Sequence, residues 1–381
     1  MDKNLLYITD TPYKAKSGGG TNCSIHYDII KNQFKANMYS VFACERSEAL
    51  QDQNAVQGFS CTSMEKIEAI LNGYPPYLTK KVRRTIWDCI DKYKIDIVYI
   101  ENSISGNLVK KIKQKRNNII VVCFFHDIEA VLMNTWISKS NFMRKVSLKT
   151  MIFNERKTAK YADKKIVLNE RDFKLFEDVY NEKPDYVIPI SVPICCNKMQ
   201  DEEHKKGNIL KLLFVGADYQ PNIDAVKWYL ENVSEKVKGR AILTVVGNKM
   251  EKHKELLERE GVTIRGTVDD LTAFYKKADI VIAPLFSGGG MKIKTAEALS
   301  YGKIFIGTDE SLTGYWENVP EKLRNKLIFR MNTAEEYIEL LNLMFESEFR
   351  KYNYEIFNMM VNCYSLKANT KRYEKIWTDL E

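Results

Sequence analysis

Short apolar runs separated by helix-like stretches recur along the whole 381-residue chain, and that alternation leaves few folds open. Strand-like runs fall at 5–9, 38–43, 95–100, 119–125, 165–168 and 186–190, and a second series follows at 211–216, 241–246, 262–266, 279–284, 304–307 and 327–329. Strands alternating with helices imply parallel sheets covered on both faces. Two such series predict two similar doubly wound α/β domains, and the length is enough to give each its own core. Residues 191–208 turn polar and charged and contain Pro193, which marks a linker between domains at 1–190 and 209–364. In 365–381, Tyr373, Ile376, Trp377 and Leu380 recur at helical spacing. Such a stripe needs a surface to cover, and the first domain is the candidate.

The longest apolar run, around 119–125, falls far short of the about 20 residues that span a bilayer. The N-terminus enters a strand directly, without a basic region, apolar stretch and cleavage site, so secretion is not expected. The eight cysteines, Cys195 and Cys196 among them, show no CxxC spacing and read as reduced structural thiols of a cytoplasmic protein. Adjacent cysteines with His204 nearby make a poor tetrahedral site. Charge is unevenly shared. Residues 1–190 carry 30 Lys and Arg against 22 Asp and Glu, whereas 191–381 carry 28 of each, so the whole net charge of +8 belongs to the first half. A basic face of this kind suits an anionic membrane surface or acidic polymer, or is a solvated lysine-rich surface. Nucleic acid, supported by charge alone, is not expected as a partner.

The segment DIVIAPLFSGGGMKIKTAEALSYGK, residues 279–303, carries the most chemistry. A continuous apolar strand leads into Ser287, Gly288, Gly289 and Gly290, which let the chain turn sharply and let an anion approach the backbone amides. From Met291 to Tyr301 the order is helical, with Ile293, Ala296 and Leu299 inward and Gly302 as the stop. Free amides at a helix start attract anions. Lys292 and Lys294 add full charges there, and Glu297 follows one turn on as an acceptor for hydroxyls. No Gly-Lys-Ser or Gly-Lys-Thr ends the turn, which argues against a nucleoside triphosphatase loop, and the glycines follow a late strand rather than the first strand of a dinucleotide fold.

With this segment and the two-domain plan together, the chain resembles the family 4 retaining glycosyltransferases (glycosyl transferases group 1). Their GT-B fold has two facing Rossmann-like domains with the active site in the cleft. LLFVGADYQPNIDAVKWYLENV is similar to the opening strand, loop and helix of the family's nucleotide-sugar domain, and GVTIRGTVDDLTAFYKKADIVIAPL to its base-binding region. In the first half SGGGTNCSIHYDII, FFHD and NERKTAKYADKKIVLNERD match the family's run of elements. The resemblance implies that the second domain binds a nucleotide-diphosphate sugar and the first an acceptor. Glu297 would hold the ribose, and Lys292, Lys294 and the amides of Gly289 and Gly290 the diphosphate. Val268 would lie near the base, with Gly216 and Asn222 in the loop after the domain's first strand. Asp269 and Asp270 read better as caps of the following helix, Asp269 accepting from its free amides.

In the first domain the resemblance places Gly18, Gly19 and Gly20, after a basic loop with Lys14 and Lys16, opposite the donor phosphates and acceptor. It also puts His126, at a strand end, beside the donor sugar or acceptor, with Asp127 orienting either partner. His26, Glu155 and Glu170 are weaker candidates, Glu155 having a helix lysine as an alternative partner. Two departures stand out. Gly289 occupies a position where many members carry a sugar-binding glutamate, and GADYQPNID lacks the family's basic pair.

The implied reaction transfers a hexose with retention to a glycan or lipid-linked glycan, in bacterial surface polysaccharide or glycoconjugate synthesis, with no cofactor and no metal. Residues 77–87 and 142–160 mix basic and large apolar side chains as an interfacial helix at the inner face of the cell membrane would, or are ordinary packed helices. A non-catalytic partner of another transferase and a sugar-nucleotide epimerase of the same fold are the rival readings.

Overall fold

The computed structural model describes residues 3–15, 18–137, 140–192, 194 and 202–380. Lys16, Cys195 and Cys196 lie outside them. The chain divides into two compact units, residues 1–191 with 369–381 and residues 192–368.

The first unit is built on a seven-stranded sheet of β1 (Leu5–Thr9), β2 (Met38–Phe42), β3 (Ala55–Val56), β4 (Ile97–Ile100), β5 (Ile120–Phe125), β6 (Lys164–Val167) and β7 (Tyr186–Val187). Every pairing is parallel, in the order β3-β2-β1-β4-β5-β6-β7. Side chains alternate across a strand, so each face has its own core. Leu6, Ile8, Val98, Ile100, Val121, Cys123 and Phe125 pack with residues of the helices Lys80–Lys92 and Gly106–Lys115. The opposite face is aromatic. Tyr7 stacks on Tyr99 at 5.5 Å, and Tyr373 and Trp377 of the helix Leu366–Thr378 close over Tyr99. Hydrogen bonds from Tyr99 to Tyr373 (2.9 Å between the hydroxyls) and from Trp377 Nε1 to Gln33 (2.6 Å) satisfy the buried polar tips of that helix.

The second unit carries β9 (Leu210–Val215), β10 (Ala241–Val246), β11 (Val262–Arg265), β12 (Ile280–Ala283), β13 (Ile304–Gly307) and β14 (Ile328–Arg330), all parallel and ordered β11-β10-β9-β12-β13-β14. Two short strands, β8 (Glu203–His204) and β15 (Phe349–Arg350), pair antiparallel beside it. Part of the stretch read as linker is therefore strand, and His204 is buried against Asp279 at 3.3 Å rather than facing a metal.

Three expectations change. The glycine run of the first half is not a loop: Gly18, Gly19 and Gly20 form the first turn of the helix Gly18–Phe34. Residues 77–87 are not an interfacial helix, because Val82 and Ile86 are buried and Tyr77 and Trp87 pack against the core. Among the described residues, Glu155 meets no lysine. Its buried carboxylate accepts from the amides of Glu129 (3.0 Å) and Ala130 (2.6 Å) and from Ser103 and Tyr180, capping the helix Glu129–Ile137 from outside.

Candidate active site

Open α/β sheets bind ligands beyond the carboxyl ends of their strands, where the strand order reverses. In the second unit that point lies between β9 and β12. After β12 the chain turns through residues 284–292 into the helix Ile293–Ser300. Gly288 (φ +135°) and Gly290 (φ +58°) take backbone conformations that other residues rarely adopt, so this turn requires them. Ser287 and Gly288 are exposed, Gly289 is half-buried, and Gly290 and Met291 are buried. The helix starts without an acidic first turn or a side-chain cap, which leaves its positive end to the turn.

Neither lysine is a solvated surface group. Lys292 bends back on the turn, donating to the carbonyls of Gly289 (3.1 Å) and Gly290 (2.8 Å) and pairing with Glu310 at 2.5 Å. It therefore meets the glycine carbonyls rather than standing beside their amides. Glu310, from the loop after β13, was invisible in sequence.

Lys294 is more confined. Its ammonium bonds Oδ1 of Asn222 and lies 4.4 Å from the centre of the Phe214 ring, and a Cβ added to Gly216 would stand 2.9 Å from its nitrogen. Burial, reinforced by repulsion from Lys292 and opposed by Glu297, lowers its pKa to about 7. Asn222 is fixed in turn by donating to the Ala217 carbonyl at 2.8 Å. Gly216, Asn222, Gly289, Gly290, Met291, Lys292 and Lys294 thus share one corner. Glu297, half-buried one turn on, accepts from Tyr275 at 3.4 Å. Burial pushes its carboxyl above the ordinary value, with Tyr275 and Lys294 opposing. Val268 sits half-buried in the loop between β11 and the helix Thr272–Lys277. In that loop Asp270, not Asp269, accepts from the Thr272 amide (2.8 Å).

The first unit reverses its order between β1 and β4. Glu101, just past β4, is fully buried; its carboxylate accepts from His26 Nδ1 (2.7 Å) and the Tyr7 hydroxyl (3.0 Å) and pairs with His126 Nε2 at 2.9 Å. Burial alone would raise its pKa, but the two imidazoles hold it down to about 2. His126 stands at the end of β5 with its side chain 24% exposed, and Cys23 Sγ lies 3.6 Å from its Nε2. Burial lowers the pKa of His126, yet Cys23 and Glu101 outweigh it and keep the ring well above the ordinary histidine value.

Cys23, Glu101 and His126 offer one ligand atom each within 4.8 Å of one another, as a metal trio would. The two hydrogen bonds and the ion pair already at Glu101 are a competing use of the same atoms. Asp10, past β1, and Glu129, three residues after His126, both feel the His126 charge. Burial raises both carboxyls, and with Glu155 and Asp127 near it Glu129 reaches about 8, so it carries a proton at neutral pH. Asp127 is half-buried beside them. Lys14 is exposed, with its ammonium 5.6 Å from the centre of the Tyr13 ring and its backbone amide donating to Ser24. Glu170 is exposed, and Asn169 rather than Glu170 caps the helix Glu170–Tyr180.

Residues 210–346 match the family model described as Glycosyl transferases group 1. The second unit carries a glycosyl transferases group 1 domain. A 44.6 kDa protein of the cps region of Klebsiella pneumoniae is 22% identical over 348 residues, covering 85% of this chain and 87% of that protein. An uncharacterized glycosyltransferase of Methanocaldococcus jannaschii is 26% identical over 323 residues, 76% of each chain. Among solved structures, sucrose-phosphate synthase from Thermosynechococcus elongatus superposes with a TM-score of 0.67 at 12% identity over 99% of both chains. Anabaena HepE in complex with UDP-glucose does so with 0.64 at 11%, again over 99% of both. Two Rossmann-like units and these neighbours give the chain the GT-B glycosyltransferase fold.

Proposed function

We propose that the protein is a retaining glycosyltransferase that moves a hexose-type sugar from a nucleoside-diphosphate donor to a glycan or lipid-linked glycan. One observation carries the reading: at the carboxyl end of β12 two ammonium groups are held at a glycine turn and a helix start, with Lys294 confined among Asn222, Phe214 and Gly216. A desolvated lysine is costly to keep, and a bound diphosphate is the partner that repays it.

As the glycosidic C1–O bond breaks, its electron pair moves to the diphosphate. Lys292, Lys294 and the helix dipole stabilise that growing charge more than they stabilise the ground state, without a metal ion. The acceptor oxygen bonds to C1 on the face the diphosphate leaves, and its proton passes to the departing phosphate oxygen. Gly216 and Asn222 border the diphosphate, Glu297 accepts from the ribose hydroxyls, and Val268 lies toward the base. Gly18, Gly19 and Gly20 supply a second helix start for the donor, while His126, Asp127 and Lys14 serve the sugar and acceptor.

The UDP-glucose complex of HepE supports a nucleotide-sugar donor. Among the described residues no helix is long and apolar enough to cross a membrane. Phe142, Met143 and Phe153 are exposed on the basic helix Phe142–Tyr161, which supports peripheral contact with an anionic inner membrane face. Incubation with a panel of nucleotide sugars tests the reading: slow donor hydrolysis or transfer with retained anomeric configuration is expected, and inversion from an α-linked donor contradicts it. The Lys292–Glu310 ion pair favours a second reading, a non-catalytic partner that keeps its lysine occupied. Such a protein neither binds nor turns over any donor.

A further inference from the structure

Buried carboxylates are costly unless they are paired and hydrogen-bonded, and Glu101 has three partners. One oxygen, Oε1, receives both imidazoles, and Oε2 receives the Tyr7 hydroxyl. The two histidines differ. His26 is completely buried, walled by Phe124 (4.6 Å between ring centres) and Tyr373 (5.5 Å), and its Nε2 has no partner. His126 reaches solvent on one side, and among the described residues its Nδ1 makes no hydrogen bond. His126, with Glu101 at one nitrogen and solvent on the other side, is the ring placed both to hold a charge and to meet a ligand.

We propose that Glu101 is a positioning residue: it grips His126 by Nε2, with His26 clamping the same carboxylate oxygen from behind, so that the ring presents Nδ1–H as a fixed donor to a sugar hydroxyl. This rests on the glycosyltransferase reading and deepens it, because it makes His126 a hydrogen-bond donor rather than the base that takes the acceptor's proton. A ring already charged has no lone pair to offer. The groups facing His126 are Glu101 from the end of β4, Asp10 from the end of β1, Cys23 and His26 from the helix Gly18–Phe34, and Asp127 and Glu129 that follow it. Of these, Glu101 makes the contact of 2.9 Å, and Glu129 is neutral at physiological pH.

The test uses the full chain with nitrogen-15-labelled histidine, and with four histidines in the sequence the His126 ring can be assigned by deletion. In the wild type the His126 nitrogens are expected to show the shifts of an imidazolium throughout neutral pH. In Glu101→Gln they are expected to titrate at a clearly lower pH than in the wild type, with Cys23 left as the remaining partner of Nε2. Glu101→Gln is also expected to lower kcat about 10²-fold, with the KM for the nucleotide sugar changed less than about twofold. Glu101→Asp, one methylene short, is expected not to restore it. A His126 ring that titrates identically in wild type and Glu101→Gln overturns the proposal, as does a variant that loses melting temperature but keeps kcat. Should Glu101→Gln fail to fold, His26→Gln leaves the carboxylate in place. There the His126 signals must keep the imidazolium pattern, and their collapse overturns the proposal. The ring spectra need no turnover, so a chain that transfers no sugar refutes the functional reading while the spectra still decide the role of Glu101.

Discussion

The two sheets end in sites of opposite electrical design. Beyond β9 and β12, cations are confined and one of them, Lys294, is held against its preference for water. Beyond β1, β4 and β5, the buried carboxylate of Glu101 is met by two imidazoles and a phenol. Ammonium groups held at a helix start suit a diphosphate, and a paired network fixes one ring in place. On the proposed function, the second unit binds the charged donor group and the first recognises hydroxyls.

The largest effect that could break this contrast is at Lys294. Lys294→Met is expected to abolish stabilisation by nucleoside diphosphates and to lower turnover roughly 10²-fold or more, and a variant that still binds the diphosphate tightly would erase the distinction. Next comes His126→Ala, expected to lower kcat about 10²-fold while nucleoside-diphosphate stabilisation in thermal melts stays as in the wild type. Loss of diphosphate binding there would mean that the first unit also holds the charge.

Proton linkage sharpens the contrast further. The Lys294 amine has a pKa of about 7, so it is half charged there, and a bound diphosphate favours the charged form. Binding at pH 7 should therefore take up about half a proton, and affinity should fall as pH rises past that point. Calorimetry in buffers of different ionisation enthalpy measures the uptake, which Lys294→Met should remove. The same shift makes the ligand-free protein more stable as pH rises from about 7 toward the ordinary lysine value of about 10.4, because the unfolded chain binds more protons there. The smallest effect belongs to Glu310→Gln. Releasing Lys292 from this ion pair should tighten nucleoside-diphosphate binding by a few-fold, and a many-fold loss would show that Glu310 itself touches the donor.

The same contrast explains what could be read from the chain. Strand, turn, both lysines and Glu297 lie within one stretch of sequence, so periodicity and local chemistry exposed them together. Glu101 joins His26 across 75 positions, and Asn222 joins Lys294 across 72. Such pairings exist only once the sheet brings strand ends together, and no local pattern announces Glu101, Glu129 or Glu310. The glycine run at 18–20 misled for a related reason. Glycine is a poor helix former, yet these three open a helix whose buried face, with Tyr27, Ile30 and Phe34, holds it against the sheet. The two-residue strands β3, β8 and β15 are too short to carry an alternation of their own.

The central claim is that the corner of Gly288–Gly290, Lys292 and Lys294 binds the diphosphate of an activated sugar. Isothermal titration of uridine, guanosine, thymidine and adenosine diphosphates into the wild type and Lys294→Met tests it most directly. The account predicts saturable binding of at least one of them to the wild type, without added metal, and none to the variant. Equal binding by both proteins, or no binding of any nucleotide to the wild type, would contradict it.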